Sequence, residues 1–95
     1  MTTQEETTNV ATRVRLSIRY FGAARAAAGV ESETLTVEGG TSVADLAIRL
    51  GGQNPRLAAV LVRCSYLCDG VAVRDTAAMV RTGQTIDVLP PFAGG

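Results

Sequence analysis

Residues Arg13 to Tyr20 read RVRLSIRY, in which Val14, Leu16, Ile18 and Tyr20 alternate with Arg13, Arg15, Ser17 and Arg19. A strict period of two puts successive side chains on opposite sides of an extended chain, so the segment predicts a β-strand with one buried and one wetted face. Such a strand needs sheet neighbours beside it and a second layer over its apolar side. A chain of 95 residues has room for one modest core, hence one domain and one site or partner surface. Phe21 continues on the polar phase of the alternation, an unusual place for a large aromatic.

Other segments carry the same kind of signal. Ser32 to Glu38, SETLTVE, sets Leu35 and Val37 against Thr34, Thr36 and Glu38, and Gly39-Gly40 stops it. Val62 to Cys68 reads as a strand, and Asp69-Gly70 supplies the positive φ angles of a two-residue hairpin into Val71, Ala72 and Val73. Thr85 to Leu89, TIDVL, follows a turn at Thr82-Gly83-Gln84 and points Ile86 and Val88 inward, Asp87 and Leu89 outward.

Between the strands lie helical stretches. Gly22 to Ala28 is alanine-rich and ends at Gly29. Thr41 to Leu50 is the main helix, with Ser42 and Asp45 as a capping pair and Val43, Leu46, Ala47 and Leu50 in one apolar stripe. Asn54-Pro55 opens a second short helix carrying Leu57, Val60 and Leu61, whereas Arg74 to Arg81 reads as an irregular connection. This order predicts an α+β fold, a mixed sheet of four or five strands packed on one main helix plus short helices. It resembles the ubiquitin-like β-grasp, and that analogy sets the first and last strands adjacent and parallel in the middle.

Composition narrows the function. Apolar residues make up 46% of the chain and the formal net charge is zero, which disfavours a disordered chain and a nucleic-acid binder relying on bulk electrostatics. A balanced surface points to protein partners. The opening MTTQEETTNVAT carries acids where a signal peptide needs basic residues, and no stretch approaches the roughly 20 apolar residues of a membrane span. The expectation is a cytoplasmic protein with no nucleic-acid or membrane partner, whose residues 1–12 form a flexible tail ahead of a domain over 13–89.

Cys64 and Cys68 are the only cysteines and histidine is absent, so the four ligands of an ordinary structural metal site cannot be assembled and none is expected. If both lie on one strand they are about 13 Å apart at about 3.3 Å per residue, too far for a disulfide. Buried reduced thiols are the plain reading, with a redox role as the alternative.

The chain ends on LPPFAGG, Leu89 to Gly95. By alternation Leu89 points away from Ile86 and Val88, as Phe21 points away from Tyr20. If the first and last strands are neighbours, Phe21 and Leu89 lie together at the end from which the tail leaves, and Ala72, out of phase with Val71 and Val73, extends the patch. Apolar residues exposed beside a free terminus read as a docking surface; strand ends that shift the phase would instead bury them. Pro90 and Pro91 cannot donate ladder hydrogen bonds and favour a stiff extended chain, which makes 90–95 an extended tail. Gly94 and Gly95 lack a Cβ and can enter a channel too narrow for side chains.

The β-grasp order, the FGAARAAAG segment after the first strand, the Asp69-Gly70 hairpin and the LPPFAGG ending together resemble the small, sulfur-carrying subunit of molybdopterin synthase, the MoaD type of the MoaD/ThiS ubiquitin-like family. The likeness runs from about Val14 to Gly95. It implies that an E1-like enzyme adenylates the Gly95 carboxylate with ATP and that the group becomes a thiocarboxylate. Sulfur then passes to cyclic pyranopterin monophosphate inside the large synthase subunit, in molybdenum cofactor biosynthesis.

The resemblance further implies that Gly94 is the slim adjoining link, that Phe21, Ala72, Leu89, Pro90, Pro91, Phe92 and Ala93 face the partner, and that the chain works in a hetero-oligomer. No cofactor would be bound by the chain itself. It would not be catalytic alone, since it has no His or Lys to serve as acid or base. All nine basic residues are arginines, which suits a carrier whose activated end must not meet an amine; genome composition explains the same fact. The longer polar N-terminus, Phe92 and the cysteine pair depart from the family pattern. Sulfur delivery to thiamine, cysteine or tRNA, and a non-catalytic ubiquitin-like interaction module, are the competing functions.

Overall fold

The computed structural model describes residues 13–91. The expected N-terminal tail, residues 1–12, and the part of the expected C-terminal tail, 90–95, that follows Pro91 lie outside the described residues. The element order is β1 (Arg13–Tyr20), α1 (Gly22–Ala28), β2 (Ser32–Glu38), α2 (Val43–Gly51), α3 (Pro55–Leu61), β3 (Ser65–Cys68), β4 (Val71–Ala72) and β5 (Thr85–Leu89). The five strands form one sheet in the order β2-β1-β5-β3-β4. β1 and β5 are parallel, from Ser17 opposite Thr85 to Tyr20 opposite Val88, and the other pairings are antiparallel. This is the ubiquitin-like β-grasp, with the first and last strands side by side at the centre.

The period-two reading of β1 holds along its whole length, exposed and buried residues alternating without a break. Its inward side chains meet those of β5 and the helices: Leu16, Ile18, Leu46, Ile86, Val43 and Val88 are at most 2% exposed. Burying a side chain of this size contributes about 1.5–3 kcal/mol, so the β1–β5 centre and α2 hold most of the fold's apolar stabilisation.

The N-terminus of α2 is closed by its own side chains and by the connection that follows β4. Asp45 N–H donates to Ser42 Oγ at 3.0 Å and Ser42 N–H to Asp45 Oδ2 at 3.3 Å, the predicted capping pair. Val43 and Ala44 N–H donate to the carbonyls of Ala78 and Thr76, both at 3.0 Å, so the irregular segment satisfies donors the helix leaves free. Asn54 caps α3 through Leu57 N–H at 3.1 Å and donates from Nδ2 to the Ala27 carbonyl at 3.0 Å, tying α3 to α1. The hairpin between β3 and β4 turns on Asp69 and Gly70, with φ of 50° and 84°.

One boundary differs from the sequence reading. β3 covers only Ser65–Cys68, whereas the expected strand begins at Val62. The run through Val60, Leu61 and Val62 fits either period. Leu57 and Leu61, one helical turn apart, are both buried, so α3 claims that run and leaves Val62 84% exposed. Cys64 therefore precedes the strand and does not share it with Cys68. Its Sγ donates to the Val60 carbonyl at 3.4 Å, and both thiols are free.

Candidate partner-facing surface

The register across the sheet decides which side chains stand together. Arg19 pairs with Asp87, Asp87 with Leu67, and Leu67 with Ala72, so these four form one row. Their chain neighbours Ile18, Tyr20, Ile86, Val88 and Tyr66 are buried beneath the helices. The row therefore lies on the opposite, outward face. One step past Tyr20 and Val88 come Phe21 and Leu89, and Phe21 N–H donates to the Val88 carbonyl at 3.2 Å, which carries the parallel ladder onward.

Phe21 is 37% exposed, Leu89 is half-buried and Ala72 is exposed. The alternation thus places all three on one face, near the end of β5. Leu67, half-buried in the same row, belongs to this surface and is absent from the residues singled out by sequence. The signal for it is available, since Leu67 is out of phase with Tyr66 and Cys68, but it shows only once the strand's start is known.

A charged pair occupies the middle of the row. Arg19 Nε donates to Asp87 Oδ1 at 2.7 Å and Nη2 to Oδ2 at 2.9 Å, a two-pronged contact that fixes the guanidinium plane. The Phe21 ring covers the guanidinium, with Cζ 5.6 Å from the ring centroid. The Asp87 side chain is 8% exposed and that of Arg19 55%. Asp87, first by its hydrogen bond and then by its charge, raises the Arg19 pKa above the usual guanidinium value.

The chain leaves the sheet over Gly22. That glycine has φ +52°, and a Cβ on it would stand 3.5 Å from Pro90 Cγ. A Cβ there would make only an ordinary contact with the ring, so it is the positive φ that favours glycine at this position; Pro90 packs close by and is buried. Pro90, read from sequence as the first partner-facing residue of the tail, belongs to the body; Pro91 is exposed. Phe92, Ala93, Gly94 and Gly95 lie outside the described residues.

Among the described residues the remaining titratable groups offer no competing centre. Burial raises the pKa of both Cys64 and Cys68, which keeps the thiols protonated and weakly nucleophilic. Among the described residues no three His, Cys, Asp or Glu side chains gather closely enough to hold a metal ion. No described helix is long and apolar enough to cross a membrane.

Comparison with known proteins places this geometry. The model of the ThiS family matches residues 18–95. The molybdopterin synthase sulfur carrier subunit of Chlamydomonas reinhardtii is 27% identical over 84 residues, covering 86% of this chain and 100% of the relative. A Haloferax volcanii protein of known solution structure superposes with a TM-score of 0.78 at 26% identity, over 88% of this chain and 89% of the other. Small archaeal modifier protein 1 of H. volcanii gives 0.73 at 20% identity, over 82% and 98%. A chain from the complex of subunits 1 and 2 of the Helicobacter pylori molybdopterin-converting factor gives 0.65 at 18%, over 86% and 100%.

Proposed function

The chain belongs to the ThiS family, and from that premise we propose that it is the sulfur-carrying small subunit of a molybdopterin synthase. The observation that carries this reading is the placement of Phe21 and Leu89 side by side at the strand end from which the chain runs on to Gly94 and Gly95. A docking surface and an acyl terminus at the same end let one partner hold the body while it takes the terminus into its active site. The relative in C. reinhardtii and the fold shared with a protein found in complex with its second subunit support the same choice.

In this reading an E1-like enzyme spends ATP to convert the Gly95 carboxylate to an acyl adenylate, releasing pyrophosphate. A sulfur donor displaces AMP, leaving a thiocarboxylate. The large subunit binds the outward sheet face, receives Gly94 and Gly95, and supplies the acid and base for transfer to cyclic pyranopterin monophosphate. The body itself contributes recognition and position.

Intact-mass measurement after co-expression with the activating enzyme is expected to show one oxygen replaced by sulfur at Gly95. Deleting Gly95 abolishes sulfur transfer and leaves the melting temperature unchanged. A second reading, a protein modifier, draws on the fold shared with small archaeal modifier protein 1. It predicts Gly95 joined by an amide bond to an amine on another protein, which peptide mapping of high-mass adducts detects.

A further inference from the structure

The Arg19–Asp87 pair lies at the centre of the outward face, not at its rim. Leu67 and Ala72 continue its row, and Phe21 and Leu89 form the row beside it. A surface serving only to bury apolar area has no use for charges there, because packed apolar residues of similar size commonly do as well as an ion pair or better. The pair is also built rather than incidental, with Asp87 nearly closed off, two short contacts and an aromatic ring over the guanidinium.

A guanidinium carries five N–H donors, and Asp87 takes two of them. Among the described residues the other three have no acceptor within hydrogen-bond distance. The Arg19 side chain is 55% exposed, and a partner that covers the face takes these donors out of water. Arg13 and Arg15 stand on the same side of β1, with Glu38 in register with Arg13, but at about 3.3 Å per residue they lie about 20 and 13 Å from Arg19, beyond the screening length. The preference for an anionic acceptor therefore comes from the guanidinium itself, whose strongest contacts are with carboxylates.

We infer that Arg19 is the specificity-determining residue of the docking face, selecting a large subunit that sets a carboxylate opposite it within an otherwise apolar contact. A partner lacking that acceptor leaves fixed donors buried and unpaired, so the pair rejects wrong partners as well as attracting the right one. Asp87 and Phe21 act as positioning residues for the guanidinium. The inference rests on the proposed function, which supplies the occupant.

The test is binding of the full chain to its large subunit by surface plasmon resonance, with a thermal melt of each variant. The double variant Arg19→Met/Asp87→Leu removes both charges and enlarges the apolar area. It is expected to melt like the wild type and to bind at least about tenfold more weakly, with a flatter salt dependence. Arg19→Lys keeps the charge but lacks the fork, and is expected to lose about tenfold as well; because Arg19 is half exposed, it serves if the double variant does not fold. Wild-type affinity and salt dependence in both variants overturn the inference and leave the proposed function standing. A wild-type chain that does not bind the large subunit removes both.

Discussion

The two faces of the central strands use the same backbone for opposite ends. Beneath the helices, Ile18, Ile86 and Val88 are fully buried aliphatic side chains whose value lies in shape and volume. Above, Arg19, Asp87, Leu67 and Ala72 alternate with them residue by residue, and mix charge with partly covered apolar groups. The inner face is finished in the free chain; the outer face is compatible with water and, in the proposed function, receives a partner. A one-residue slip of β5 against β1 turns the inward set of β5 outward, so the parallel register protects both the core and the proposed docking surface.

Substitutions that distinguish the faces test this division. Ile18→Ala, at the fully buried centre, is expected to cost about 3 kcal/mol in chemical denaturation; a loss similar to that of an outward-face variant breaks the comparison. Gly51→Ala comes next, because its Cβ would stand 2.9 Å from Ala58 Cα and force α2 away from α3. About 2 kcal/mol is expected, with partner binding intact in the folded fraction.

Alkali reaches the inner face without a mutation. Burial pushes the Tyr66 phenol up to about 12, and burial and the Glu33 carboxylate, whose Oε2 accepts from Tyr20 Oη at 2.6 Å, raise Tyr20 as well. Both folded values lie above the unfolded value of about 10. Their contribution is therefore complete below pH 10 and is lost as pH rises toward 12, a decline that urea titrations register and that Tyr66→Phe flattens.

Ser42→Ala opens the capping pair of α2 and is expected to cost about 1 kcal/mol. Phe21→Ala gives the smallest change in stability, about 0.5 kcal/mol from the lost ring–guanidinium contact, yet weakens partner binding more than any of the preceding substitutions in the folded fraction.

Where local chemistry decides conformation, the chain could be read directly. The alternation of RVRLSIRY, the Ser42/Asp45 cap, Asn54-Pro55 and the Asp69-Gly70 turn all act within a few residues, and the structure repeats them. The outward positions of Phe21, Ala72 and Leu89 follow from the same periodicity. Val62 to Cys64 was beyond it, because an apolar run suits helix and strand alike until the burial of Leu57 and Leu61 settles the matter. The Arg19–Asp87 contact joins residues 68 apart in sequence, and nothing short of the parallel β1–β5 register brings them opposite one another. Pro90 likewise reads as tail until its ring is seen buried beside Gly22, at the turn that follows β1.

That seat for Pro90 sets a measure. Gly95 is five residue steps further on, and five steps, drawn straight, span no more than about 18 Å. Any enzyme that works on Gly95 must bring its reacting atoms inside that radius of the proline, so the depth of its pocket and the fit of its rim against the sheet are one dimension. Lengthening the segment after Pro91 uncouples them, letting an arm enter an active site whose walls no longer have to touch the body.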